Sequence, residues 1–465
     1  MKKDKFSAGS LEIGFEGGLS ETYTAHAGVS LLLEAIRRSG IIATADRILP
    51  RKKNPKGLTQ GQMVESILVL SALGGECLDD LETLRQDQGL KAVLGYELPA
   101  PSTARNWLEQ FHGEEALTQR PMQGSFIPLE SPWLAVLREV NRRCVWAYTS
   151  AVQTPRQVTL DVDAHLVESS KREARMTYEG FRGYQPLIVT WAETGMILAD
   201  EFRDGNVPAS VGIAKLVNEA YEALPARDDG WQVRIRSDSA AYEEKVLADW
   251  NELGWMFAVS ADMSPQLRQE VEGLGPDDWQ IWKVESDGFV RDWAEVPYVP
   301  SRKSEKRDLK PNRYLAIRIR PPQGQLFSDG NRVKLFAVVT NDWEMGGQDL
   351  LAWHRRKAGS VEQSHRILKD ELAAGVYPSG KFGANAAWLR LQVLTHNGLV
   401  LMKATALDEA YRQARPKRLR FAIFNHVGRV VQHARLTLMR VVDWVLKTII
   451  GPGLVRLRTA PWPVA

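Results

Sequence analysis

Residues 158–168, VTLDVDAHLVE, place two aspartates inside a stretch that otherwise reads as a strand against a core. Val158, Leu160, Val162 and Leu166 alternate with Thr159, Asp161, Asp163 and His165, so the two sets point to opposite faces. Aspartate is depleted in strands, and a carboxylate beside a core is costly unless its charge is compensated. A divalent cation supplies that compensation; a salt bridge or an edge position does so equally well.

The chain on either side tells what kind of strand this is. GYQPLIVTWAETGMILADEFRDGN predicts a hairpin turning at residues 193–195. A helix is expected over about residues 209–224, then the strand WQVRIRSDS, the helix YEEKVLADWNELG and the strand WMFAVSA. Three antiparallel strands, a helix, a strand, a helix and a strand is the order of an RNase H-like fold. Residues 263–349 interrupt it. WQIWKVE, RDWAEVPYV, RYLAIRIRP and VKLFAVVTN are four alternating segments that predict a small β-rich insertion, with SRKSEKRDLK as an exposed basic loop.

Upstream, residues 1–150 read as helical. LLLEAIRRSG and GQMVESILVLSALGG have apolar residues at three- and four-residue spacing, and the pair Gly74 and Gly75 ends the second run. In LPAPSTARNWLEQFH, Pro99 and Pro101 stop the preceding chain and Ser102 can cap a helix that carries Arg105. Short helices joined in this way suit a helix-turn-helix DNA reader, and equally a plain packing unit. Beyond residue 350 the pattern is helical again, ending in a basic amphipathic helix expected near 421–449.

Composition narrows the class. An apolar share of 44% with 25% charged residues is that of a globular chain, and 465 residues call for more than one ordinary core. No run of about eighteen apolar residues exists, and the opening MKKDKFSAGSLEIGFEGG lacks the apolar stretch of a secretion signal, so a cytoplasmic protein with no membrane partner is expected. Cys77 and Cys144 have no second ligand at zinc spacing and are expected to be reduced and buried. The net charge is only +3, yet residues 351–465 hold 19 basic against 6 acidic residues, a surplus of 13. A basic segment next to carboxylates suits a polyanion such as DNA; a solvated basic surface is the plainer reading.

Two more carboxylates draw attention. Asp238, in RIRSDSAAY, ends a strand expected to neighbour the first one, and it can also be the N-cap of the following helix. Ser360 and Gln363 form a capping-box pattern that starts a helix at Val361 and puts Glu362 in its first turn. Glu362, Arg366 and Lys369 then share one stripe, where a carboxylate can bind metal while cations hold phosphates; an ordinary surface charge ladder has the same spacing. Mg²⁺ takes oxygen ligands, and two such ions about 3.5–4 Å apart can activate the attacking oxygen and stabilise the leaving oxygen of a phosphodiester.

The segments VTLDVDAHLVE, RGYQPLIVTWAETGMILADEFRDGNV, VRIRSDSAAYE and HRRKAGSVEQSHRILKDELAAGVYPSGKFGANAAWLRLQVLTHNGLV resemble the blocks of bacterial insertion-sequence transposases of the DDE type, with a β insertion before the glutamate. The likeness runs in order from about Leu58 to Leu446; the seven-residue step from Glu362 to Lys369 and the run PSGKFGANAAW are its most specific parts. The resemblance implies a catalytic, metal-binding set of Asp163, Asp238 and Glu362, with Lys369 on transposon-end phosphate. It also implies Mg²⁺, with Mn²⁺ able to substitute, as two ions. The family usually has threonine where this chain has His165, so the choice between Asp163 and Asp161 stays open. Related families carry tyrosine and arginine where this chain has Arg355 and Ala358; Arg355, Arg356 and Lys357 are candidates for the missing phosphate contact, alongside Arg366 and Arg105.

The expected function is DNA cleavage at transposon ends followed by attack of the 3′-hydroxyl on target DNA, by a homodimer assembled on DNA in a bacterial cytoplasm, associated with the nucleoid when bound. A catalytically inactive DNA-binding relative and a nuclease that does not join strands are the alternatives. Trp343, closing the insertion, can stack on an unpaired base, although core packing is the commoner use of tryptophan. The expected organisation is α/β: a helical DNA-binding region over 1–150, the first part of the RNase H-like core over 151–262, the β-rich insertion over 263–349, the second part of the core with a basic helical region over 350–450, and a tail over 451–465.

Overall fold

The structure, a computed structural model, describes residues 20–51, 56–113, 117–121, 123–300, 311–433 and 436–463. The basic loop expected at 301–310 and the first nineteen residues lie outside these. Helices α1 (Ser30–Arg38), α2 (Ile41–Ile48), α3 (Gln60–Leu73), α4 (Pro101–Glu109) and α5 (Pro132–Ala151) precede the main sheet. Thr59 and Gln62 close a capping box at the start of α3, and Gly74, at φ +98, ends it. Pro101 rather than Ser102 opens α4, because its ring presets the first helical φ and its missing N–H is one that would have no partner within the helix.

The sheet has nine strands: β1 (Gln157–Ala164), β2 (Leu187–Trp191), β3 (Met196–Glu201), β4 (Gln232–Ser237), β5 (Met256–Ala261), β6 (Gln280–Val284), β7 (Val290–Val296), β8 (Arg313–Arg320) and β9 (Lys334–Thr340). Their spatial order is β6-β7-β8-β9-β5-β4-β1-β2-β3. β1 lies antiparallel to β2 and parallel to β4, and β4 is parallel to β5, with α6 (Ile213–Glu222) and α7 (Glu244–Glu252) making the two crossovers. Strands β1 to β5 are thus an RNase H-like core. β1 sits in the middle, so its residues 158–162 are buried on both faces, and any charge there must be paired.

The four strands expected as an insertion form a continuation of this sheet: β9 pairs antiparallel with β5 from Ala337 opposite Ala261 to Thr340 opposite Ala258. Asp292 on β7, almost wholly buried, accepts from Arg318 and Arg320 on β8, which accounts for the basic alternation of RYLAIRIR. The chain returns through α8 (Gly347–Arg355). Gly347 packs so tightly that a Cβ there would meet the Trp293 ring at 2.1 Å.

Helix α9 (Val361–Glu371) packs on β1 and β2, and α10 (Phe382–Ala406) is buried almost all round, between the sheet and the N-terminal helices. α10 therefore joins the helical part and the sheet into one core. Asn397 on α10 donates to the Ile197 carbonyl at 2.8 Å and accepts from the Ile197 amide at 2.8 Å, satisfying edge strand β3 where its register shifts. No helix among the described residues is long and apolar enough to cross a membrane.

The basic helix expected near 421–449 is not formed as such. Gly428–His433 and Leu436–Arg440 are antiparallel strands, and Thr22–Thr24 pairs with the first of them. The β-branched residues Val430, Val431 and Thr437 favour strand, and a third strand supplies ladder partners that residues 421–449 lack on their own. Helix resumes at Asp443–Val445 and continues through Gly451–Thr459. Cys144 is fully buried and Cys77 only partly, and neither is in a disulfide.

Candidate carboxylate site

Parallel register puts the first two carboxylates on neighbouring strands, just beyond the last residues that β1 and β4 pair. Asp161 on β1 is opposite Arg236 on β4; two further steps lead to Asp163, still paired with Ile188 on β2, and to Asp238, just past the end of β4. The period of two keeps these residues on the face of Asp161 and Arg236.

Asp161 and Asp163 have different surroundings. Asp161 is completely buried, and Arg236 forks its carboxylate, Nε to Oδ1 at 2.6 Å and Nη2 to Oδ2 at 2.7 Å. Burial pushes its carboxyl up while the Arg236 fork opposes that. Asp163 instead opens into a cavity of about 540 Å³, which is also lined by His165, Glu362, Arg366 and Lys369. Lys357 Nζ donates to Asp163 Oδ1 at 3.2 Å, and the lysine is itself buried.

Glu362 lies in the first turn of α9, exposed, with Arg366 and Lys369 exposed on the same stripe. The expected capping box at Ser360 does not form, and no side chain caps the helix there. The short helical turn Arg356–Gly359 runs directly into α9, with Ser360 N bonded to the Lys357 carbonyl, so the chain arrives already coiled. Asp238 caps the turn Ser239–Ala241 by accepting from Ala240 N at 3.1 Å, and it lines an open pocket shared with Glu243 and Asp262.

Two histidines frame the site. His365 Nε2 donates to the Asp163 carbonyl at 3.1 Å, and His354 Nε2 donates to the Ser237 carbonyl at 3.0 Å. Burial depresses both imidazoles, His365 to about 3 and His354 to about 4, so they are neutral donors at physiological pH. His165 stands 5.4 Å from His365, ring to ring. Burial, then the nearby Lys369, lowers its pKa too.

An oxygen-only donor set suits a hard divalent cation in kind, and Asp163 and Glu362 share one cavity. The set is not closed into a centre: among the described residues no group of three His, Cys, Asp or Glu side chains is placed to hold a metal ion. The remaining cations spread outward. Arg355 stacks on Trp282 at 5.2 Å, Arg356 is exposed, and Arg105 lies 3.7 Å from Asp79 on the exposed side of α4. Trp343, for which core packing was the commoner expectation, is 54% exposed, because it sits in the turn after β9 and not on a packed face.

Arg236, His354 and His365 escaped the sequence reading, and Lys357 was read as a DNA contact, not as a partner of Asp163. The available signal was the pair Arg234 and Arg236 inside one strand, on the face that Asp161 occupies in its own strand.

Among solved structures, the piggyBac transposase synaptic complex with hairpin DNA is similar at 11% identity and TM-score 0.45, over 86% of this chain and 81% of that one. The Drosophila P element transposase strand transfer complex is similar at 16% identity and TM-score 0.23, over 48% and 42%. Comparison with curated proteins gives no match. The family model described as transposase DDE domain group 1 matches residues 4–462, nearly the whole length over which the sheet, the insertion and the carboxylates are laid out, and the chain belongs to that family.

Proposed function

We propose that this transposase cuts DNA at the ends of its own element and joins the freed 3′-hydroxyl to target DNA, in cut-and-paste fashion, with Asp163, Asp238 and Glu362 as its catalytic carboxylates. The observation that supports this reading is the cavity that Asp163 shares with Glu362, together with a strand register that ends two residues before both Asp163 and Asp238. Asp161 is assigned to structure, since Arg236 occupies both of its oxygens.

The three carboxylates would hold Mg²⁺, or Mn²⁺ in its place, as a pair of ions. Bound there, such ions lower the pKa of an attacking water or hydroxyl and offset charge on the leaving oxygen. The chain's own contribution is placement. Arg366 and Lys369 follow Glu362 on the same exposed stripe and would hold phosphates of the element end, with Lys369 about one turn beyond Arg366. Arg355, Arg356 and Arg105 extend the basic surface, and DNA is the partner that such a surface fits. Two ends must be brought together, so the active form is a homodimer on DNA.

The test is to mix purified protein with labelled element ends, intact or pre-cleaved, and with Mg²⁺, Mn²⁺ or EDTA. Cleavage and joined products that require the metal are expected. Nicking that persists in EDTA, or pre-cleaved ends that never join, would overturn the reading and leave a nuclease or a DNA-binding relative.

A further inference from the structure

We infer that Arg236 is a positioning residue for the proposed reaction: its guanidinium fixes how far the helix of Glu362 stands from the strand of Asp163. The inference rests on the catalytic reading above. Arg236 is 3% exposed and uses three nitrogens in two directions. Nε and Nη2 fork Asp161, two residues before Asp163 on β1. Nη1 donates to the Trp353 carbonyl at 2.7 Å, in the last turn of α8, from which the chain coils straight into α9 and Glu362.

The remaining contacts follow the same line. Arg234 and Arg236 flank the Trp353 ring at 4.2 and 5.1 Å. His354 then reaches Ser237, and Lys357 and His365 reach Asp163. Step by step, the segment leading to Glu362 is fastened along the ends of the two strands that carry the aspartates. Among the described residues, Arg236 alone ties strand β1, strand β4 and that segment through a single rigid planar group. A lysine can pair with Asp161 but cannot also span to Trp353 with a second fixed donor.

A buried ion pair can also be simple packing, so the test must separate position from stability. Replacing both partners of such a pair by apolar groups of similar size is often neutral for stability, whereas removing one strands a charge. The variant is therefore Asp161→Leu with Arg236→Met, with Arg236→Lys as the second. Two properties are read. One is hydrogen–deuterium exchange of residues 353–364 in EDTA; the other is Mn²⁺ affinity of the DNA-free protein, from the electron paramagnetic resonance of free Mn²⁺. In a variant whose circular dichroism matches the parent, exchange in that segment is expected to rise by about tenfold. Mn²⁺ affinity should fall by about tenfold, the usual effect of losing a group that orients ligands. Unchanged exchange and affinity in a folded variant would overturn the inference. If the double variant does not fold, Arg236→Lys decides by the same two readings. If the parent itself shows no Mn²⁺ binding sensitive to Asp163→Asn, the catalytic reading fails, and the exchange result still decides whether Arg236 positions the segment.

Discussion

Lys357 holds its ammonium 3.2 Å from Oδ1 of Asp163, a partner 194 positions earlier in the chain. With 11% and 15% of their side chains exposed, the two are mostly shielded from water, and the lysine stands on a carboxylate assigned to cation binding. Cation and ammonium compete for one oxygen. Replacing Lys357 with Gln is expected to tighten Mn²⁺ binding to the DNA-free protein several-fold and to cost about 1–2 kcal/mol of stability. Isothermal titration with Mn²⁺ and urea unfolding check the two halves; weaker Mn²⁺ binding in the variant would count against competition.

The two aspartates of β1 should separate cleanly. Asp161→Asn weakens the Arg236 fork inside the core and is expected to lower stability by about 2–4 kcal/mol. Asp163→Asn leaves the Lys357 ammonium without its carboxylate and should cost only about 1–2 kcal/mol, less than Asp161→Asn, while reducing end cleavage by roughly a thousandfold or more. Calorimetry and single-turnover cleavage on the same two proteins provide the comparison. The reverse pattern would move the catalytic assignment to Asp161.

That separation also marks how far the sequence could be read. Period-two alternation and the order of strands and helices made the RNase H-like core legible, because each element carries its own pattern. The four β segments after Ala261 were legible as strands, but not as an extension of the core sheet, since the pairing of Ala337 with Ala261 depends on register between distant segments. Likewise, nothing local to Lys357 says that it folds onto Asp163 and not toward solvent. The helix expected near 421–449 failed for a related reason: its strands are completed by Thr22–Thr24, some four hundred residues upstream.

Acid should weaken the fold through buried imidazoles. His396 donates to the Gly195 carbonyl at 2.8 Å, and burial holds it at about 4, below its ordinary 6.5. Between those values the unfolded chain binds a proton that the folded chain does not. Stability is therefore complete above about pH 6.5 and falls as pH drops through the window, by at most about 1.4 kcal/mol per pH unit for each such group. His354 and His365 act in the same sense. His396→Gln, which keeps a donor for Gly195, should flatten part of the loss seen in urea midpoints between pH 7 and 5; an unchanged slope would show that His396 is not its source.

The stripe beyond Glu362 predicts a salt effect. Lys369→Ala and Arg366→Ala should each weaken binding to element-end DNA, and each should reduce the slope of log affinity against log salt by about 0.9. Fluorescence anisotropy at several salt concentrations measures this. A variant with parental slope does not touch phosphate.

The most direct test is the anomalous scattering of Mn²⁺ in crystals of this chain bound to its element-end DNA. The account predicts density bounded by the carboxylates of Asp163, Asp238 and Glu362, with Asp161 still forked by Arg236. Metal density elsewhere, or Glu362 pointing away from the two aspartates in that assembled complex, would contradict it.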